Sequence, residues 1–195
     1  MFYASISPYN NFFEQVNNLA RNVAEARGNS LVDNARMFAL MELGLADESI
    51  ANWTVKYTYN YWRPVTAIRA ADTDNNPETL ADPNWLPEVI NTAPDPSYPG
   101  AHAVISAGAA AVLISVLEKD ELDFNVTSEV MPGVERPFDR LSAAAEEATL
   151  SRIFAGAHFR FDLTAGQRLG RDVADFVVDN FLTRRHRRDH RDDDE

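Results

Sequence analysis

The sequence predicts an all-α protein, a helical bundle of about five to six helices. Three observations predict it. Apolar residues recur at spacings of three and four over several long stretches, capping residues punctuate those stretches, and a run rich in Ala and Gly, Ala103 to Leu117, has the make-up of a central helix. With 195 residues, 45% of them hydrophobic and 25% charged, the chain suits one domain with a full core. Residues 1–183 read as that domain and residues 184–195 as a charged, disordered tail.

In chain order, Ser7-Pro8 reads as a helix start, with Ser as N-cap and Pro at the first helical position. Phe12, Phe13, Val16, Leu19, Val23 and Ala24 follow at helical spacing until Gly28 closes the element. Ser30 and Asp33 resemble a capping box. Behind them Ala35, Phe38, Ala39, Leu43 and Leu45 carry a long helix towards Ile50 and Trp53, and the pattern continues to Arg63. Pro64 disfavours helix at the residue before it and predicts a break there. On that reading Lys56 and Arg63, seven positions apart, share one helical face.

From Asp72 to Pro99 the composition turns to Asp, Asn and Pro, which predicts a long loop or paired turns with a brief helix around Trp85 to Ile90. Loops beyond about 12–15 residues in a compact domain are usually functional or disordered. The small-residue helix then follows His102. Glu118 to Pro137 reads as a connection with a short hairpin around Phe124 to Val130. A further helix is expected from about Phe138 or Ser142 to Phe154, ending at Gly156. Leu163-Thr164 starts the last one, with Leu169, Val173, Phe176, Val177 and Phe181 on its apolar side.

The formal net charge of -12 argues against general nucleic-acid binding, so any anion site has to be a local feature. There are no cysteines, which removes disulfides and thiolate metal sites. The N-terminus lacks the charged start and apolar run of a secretory signal. The most apolar run is shorter than the roughly 20 residues of a bilayer span, so no membrane span is expected. The chain reads as soluble, with secretion or a periplasmic location open if an N-terminal portion bearing a signal is missing.

One stretch carries the densest chemistry, Ser151-Arg-Ile-Phe-Ala-Gly-Ala-His-Phe-Arg-Phe-Asp162. It offers a permanent cation in Arg152, an imidazole in His158, and in Asp162 a carboxylate four positions beyond. Arg presents a planar fork matched to oxyanions, and a carboxylate beside a His fixes its tautomer and makes the other nitrogen a better ligand or nucleophile. Alone, the stretch reads equally well as a helix end with scattered charges. Outside the tail, however, His102 and His158 are the only histidines, and both lie in segments with this chemistry. Gly100 and Ala101 precede His102 at a helix N-terminus, whose free N–H groups and dipole suit an anion. Lys56 and Arg63 add two cations beside aromatic neighbours.

The order Lys56, six residues, Arg63-Pro64, then Pro99-Gly-Ala-His102, then Ser151-Arg152, five residues, His158, three residues, Asp162 resembles the three-part motif of vanadium-dependent haloperoxidases and type 2 phosphatidic acid phosphatases. The flanking Tyr-Asn-Tyr-Trp-Arg-Pro-Val-Thr-Ala-Ile-Arg and Ala-Gly-Ala-His-Phe-Arg-Phe-Asp are more similar to the soluble bacterial haloperoxidase-like branch. That resemblance implies a helical bundle holding the anion at one end. It implies vanadate as cofactor, with phosphate as a competing anion, and hydrogen peroxide and halide as substrates. Lys56, Arg63, Arg152 and the Gly100-Ala101 segment would bind the anion, His158 would be the metal ligand, Asp162 would orient it, and His102 would be the acid/base. The alternatives are an acid phosphatase acting on a small phosphomonoester with His158 as nucleophile, and a non-catalytic relative.

Two departures stand beside the resemblance. The usual Pro-Ser-Gly-His is here Pro99-Gly100-Ala101-His102, without the serine hydroxyl that would bond an equatorial oxygen. Members of this type usually carry a further helical portion before the equivalent of Phe12. A fragment, a shortened relative or a homo-oligomer that completes its bundle with another chain would each explain that.

Overall fold

The computed structural model describes residues 11–183, except residue 90 and residues 128–130. The expected start at Ser7-Pro8 and the tail at residues 184–195 lie outside them. Helices α1 (Asn11–Arg27) and α2 (Leu31–Tyr59) are joined through Gly28, whose φ of 60° is a conformation glycine adopts without steric cost. Ser30 caps α2, its hydroxyl accepting from the Asp33 N–H at 3.2 Å.

Helix α2 stops at Asn60, which takes a left-handed φ of 47° and returns its N–H to the Lys56 carbonyl. Arg63 is then the N-cap of a separate short helix, α3 (Pro64–Arg69), with Pro64 at its start. Lys56 and Arg63 therefore do not share a helix. Asn tolerates the left-handed region and Pro64 excludes helix at Arg63, so the break comes earlier than the aromatic run suggests. A 3₁₀ turn, Ala71–Thr73, follows.

The expected helix around Trp85 does not form in the described residues, which run there as turns and bends. Asp and Asn side chains satisfy nearby backbone N–H groups instead, as when Asp82 accepts from Asn84 and Asp74 from Asn76. The loop is fastened at both sides, by Asp82 N–H to the Ile68 carbonyl at 3.1 Å and by Val89 N–H to the Ala155 carbonyl at 3.2 Å.

Helix α4 (Ala101–Leu117) is buried on almost every side and packs against α2, α5 (Leu141–Phe154) and α6 (Arg160–Asn180). Its Ala and Gly residues allow that crowding. A Cβ at Gly170 of α6 would overlap the Val104 carbonyl oxygen, and one at Gly166 would lie 2.7 Å from the Gly100 oxygen. Met37, Leu40 and Met41 of α2 meet Val112 and Leu113 of α4, Leu141 of α5 and Val177 of α6 in the core.

Between α4 and α5, strands β1 (Glu121–Thr127) and β2 (Glu135–Arg140) pair antiparallel, with Phe124 opposite Phe138 and their rings 5.7 Å apart. The hairpin is longer than expected and takes up the residues before Leu141 that read as a connection or helix start. Among the described residues it is the single sheet in an otherwise helical bundle. Helix α6 begins at Arg160 rather than Leu163, which brings Asp162 into its first turn.

Candidate anion site

Four elements converge beside the N-terminus of α4. Lys56 comes from the last turn of α2, Arg63 from the N-cap of α3, Arg152 from the last turn of α5, and His158 and Asp162 from either side of the start of α6. All five side chains are buried, Lys56 and Asp162 completely. Burial of so much charge is sustained only by pairing and hydrogen bonding.

The imidazole is fixed from both nitrogens. His158 Nδ1 lies 3.2 Å from Asp162 Oδ2, and His158 Nε2 lies 2.9 Å from Arg63 NH1. Because a carboxylate only accepts and a guanidinium only donates, the proton belongs on Nδ1 and the lone pair on Nε2. Asp162 Oδ2 also accepts from the Phe159 N–H at 3.0 Å and the Ser97 hydroxyl at 2.5 Å, while Oδ1 has no hydrogen-bond partner among the described residues. The carboxylate thus caps α6 and aims the ring with one oxygen.

The cations differ in their partners. Arg63 donates through Nε to the Asp95 carbonyl at 2.9 Å, through NH2 to Asp95 Oδ2 at 3.0 Å, and through NH1 to the Ala157 carbonyl at 3.0 Å. Lys56 donates to the Pro96 carbonyl, to Asp95 Oδ2 at 2.9 Å and, at 3.4 Å, to the Ser97 carbonyl. Arg152 Nε has no hydrogen-bond partner among the described residues although it is buried.

Electrostatics follow from this packing. Burial pushes Lys56 below its ordinary value, against the hydrogen bond and charge of Asp95. Burial would raise the Asp95 carboxyl, but the hydrogen bond and charge of Lys56, with Arg63, reverse that and leave it below the usual range. Burial and the neighbouring Arg63 lower Arg152 to about 10. His158 is driven below its ordinary value by burial, which outweighs its hydrogen bond to Asp162, with Arg63 and Lys56 adding repulsion. His102 falls well below its ordinary value through burial and then the charges of Arg152, His158, Arg63 and Lys56. Both rings are neutral near pH 7.

The Gly100 N–H donates to the Asp162 backbone carbonyl at 3.0 Å, and its carbonyl accepts from Ala103 and Val104. A Cβ at position 100 would lie 2.7 Å from Leu163 Cδ2, so a serine there requires the end of the buried Leu163 side chain to shift. Ala101 and His102 open α4 directly beside this contact.

Two further members were not legible in the sequence. Asp95 binds two of the cations, and Ser97 sits against Asp162, both from a loop whose Asp, Asn and Pro content carries no period. The loop is held by the Ser97 N–H to the Tyr61 carbonyl at 2.8 Å and by Tyr98, whose ring lies 5.4 Å from that of Tyr59 and 6.1 Å from that of Phe161.

The family model for the VCPO second helical-bundle domain matches residues 36–187, most of the chain. The chain belongs to the VCPO second helical-bundle family. Its curated relatives include the vanadium chloroperoxidase of Curvularia inaequalis, 27% identical over 192 residues, with 73% of this chain and 31% of that protein covered. Among solved structures it is similar to a bacterial vanadium-dependent iodoperoxidase, at a TM-score of 0.78 and 29% identity over 91% of this chain and 42% of that one. It also shares the fold of a holo-type bacterial vanadium-dependent chloroperoxidase, at a TM-score of 0.67 and 18% identity over 85% of this chain and 40% of that one. The chain spans less than half the length of each of these relatives.

The residues present fit a tetrahedral oxyanion bound through a nitrogen. His158 carries its lone pair at Nε2, where Arg63 NH1 lies at 2.9 Å, Arg152 has a buried Nε–H with no hydrogen-bond partner among the described residues, and Lys56 is joined to Arg63 through Asp95 Oδ2.

Proposed function

We propose that this domain is the vanadate-holding part of a vanadium-dependent haloperoxidase. The observation that carries the reading is the fixed tautomer of His158, with Nδ1 turned to Asp162 and the Nε2 lone pair turned to Arg63. His158 would be the ligand, and Lys56, Arg63 and Arg152 would neutralise the anion's oxygens, as permanent or near-permanent cations do best in a water-poor site. Vanadate, when bound, would supply the centre at which hydrogen peroxide oxidises halide to hypohalous acid. Asp162 would keep His158 from turning, and Ser97 and the Phe159 N–H would keep Asp162 from turning.

His102, held neutral by its surroundings, would take a proton from an incoming peroxide and return it to the departing oxygen. The named activities of the similar proteins favour vanadate over a phosphomonoester as the working anion. The test is an assay of peroxide-dependent oxidation of iodide, bromide and chloride after loading with orthovanadate. Oxidation that requires vanadate and is lost in Arg152→Ala supports the reading; phosphomonoester hydrolysis without any halide oxidation refutes it.

A further inference from the structure

Lys56 is an ammonium with three N–H bonds, and its three acceptors all lie on one short segment: Asp95 Oδ2, the Pro96 carbonyl and the Ser97 carbonyl. The same Asp95 Oδ2 accepts from Arg63 NH2 at 3.0 Å. One carboxylate oxygen therefore bridges two of the three cations that the proposed function assigns to the anion. The third, Arg152, is the one with a buried N–H lacking a hydrogen-bond partner among the described residues.

We propose that Asp95 is a built-in substitute anion: its carboxylate satisfies Lys56 and Arg63 when no external oxyanion is bound, and an incoming oxyanion must displace it. This rests on the reading of the site as an oxyanion cradle. Three charges favour an oxyanion here, those of Lys56, Arg63 and Arg152, and two oppose it, those of Asp95 and Asp162. Asp162 is tied to His158, Ser97 and Phe159 and to the start of α6, so it has no freedom to leave.

Asp95 is built differently. Its backbone is held independently of its side chain, because Arg63 Nε donates to the Asp95 carbonyl at 2.9 Å. Its side chain is 12% exposed, where those of Lys56 and Asp162 are fully buried. Rotation of the carboxylate towards solvent would release one N–H of each cation without moving the loop, the remaining bonds of Lys56 and Arg63 to backbone carbonyls staying in place. A carboxylate that leaves for water regains its hydration, which limits the penalty of displacement.

The device has a clear physical benefit and a clear cost. Two buried cations beside a third would repel one another in the anion-free protein, and Asp95 relieves that repulsion. Every external anion then competes with an intramolecular one. The effect is to weaken binding of phosphate and vanadate alike, and it acts on top of the missing serine at position 100.

Calorimetric titration of inorganic phosphate and of orthovanadate into the wild-type chain, Asp95→Asn and Asp95→Ala tests the proposal, with thermal melts confirming that each folds. Removing a charged acceptor from two cations should tighten both anions on the order of tenfold to a hundredfold. Asp95→Ser carries the same comparison should the other two variants fail to fold. Unchanged or weaker binding in the variants, with wild-type binding that depends on His158, overturns the proposal and leaves the proposed function standing; Asp95 would then be a residue that shapes the cradle. Absence of anion binding in every form overturns both. Tightened binding that survives Arg152→Ala in the Asp95→Asn background places the anion elsewhere and also overturns the proposal.

Discussion

Asp162 Oδ2 stands 3.2 Å from His158 Nδ1, and that single oxygen also receives the Phe159 N–H and the Ser97 hydroxyl. The start of α6 and the orientation of the imidazole are thereby one structural event. The ring cannot be reoriented without disturbing a helix cap, which is why a site built on a loop residue can be held so firmly.

Asp162→Asn separates these roles. An amide nitrogen facing Nδ1 would no longer accept its proton, so the Nε2-protonated tautomer of His158 should become populated. Nitrogen-15 shifts of the imidazole read this directly, and orthovanadate affinity should fall by about tenfold. Loss of the charged cap should cost about 1–2 kcal/mol in urea unfolding. An unchanged tautomer would show that the surrounding packing, not Asp162, orients the ring.

Glu48 gives the protein an unusual response to pH. It lies fully buried on α2, against Gly108 of α4, with both carboxyl oxygens lacking hydrogen-bond partners among the described residues, and burial raises it from 4.5 to about 8. The folded state then holds a proton that the unfolded chain releases above 4.5. Its contribution to stability is complete below pH 4.5 and is lost as pH rises through 8, at about 1.4 kcal/mol per pH unit. Glu48→Gln should remove this slope and be the more stable form at pH 8, as urea unfolding at several pH values will show. Equal slopes in the two proteins would mean that water reaches the carboxyl.

The histidines act in the opposite direction. His102 and His158 are both lowered in the folded state, so their contribution is present above the ordinary value of 6.5 and is lost as pH falls below it. Together with Glu48 this predicts a stability maximum near pH 6.5. His102→Asn should flatten the acid side of the profile and leave the alkaline side unchanged.

The fold and the site were legible to different depths. Periodicity and capping residues announced the helices, and the small residues of α4 announced its central position, because these depend on local sequence and on one buried face. Boundaries failed where a single residue decides. Asn60 ends α2 before Arg63, and Arg160 rather than Leu163 opens α6. The cations and histidines stood out by their spacing, and because only two histidines lie outside the tail. Asp95 and Ser97 did not, since an Asp or Ser in a polar loop is ordinary until the chain folds it over Lys56 and Asp162. Glu48 was equally silent, for nothing in a helical stripe says that a carboxyl will meet a glycine instead of water.

Leu163 explains why restoring the missing hydroxyl is not a single step. A side chain at position 100 would press on Leu163 Cδ2, so Gly100→Ser alone should lose about 1–3 kcal/mol in urea unfolding. Adding Leu163→Ala relieves the overlap, and the double variant should bind vanadate more tightly than the Gly100→Ser single variant. No difference in affinity between the single and the double variant would show that Leu163 does not obstruct the hydroxyl.

On the proposed function, His158 Nε2 is the ligand of an oxyanion held by Lys56, Arg63 and Arg152. Titration of orthovanadate into the wild-type chain and into His158→Ala, followed by calorimetry, tests it most directly. Saturable binding of one vanadate per chain is expected, weakened at least about tenfold by His158→Ala, with inorganic phosphate competing for the same site. Vanadate binding that is the same in both proteins would contradict it.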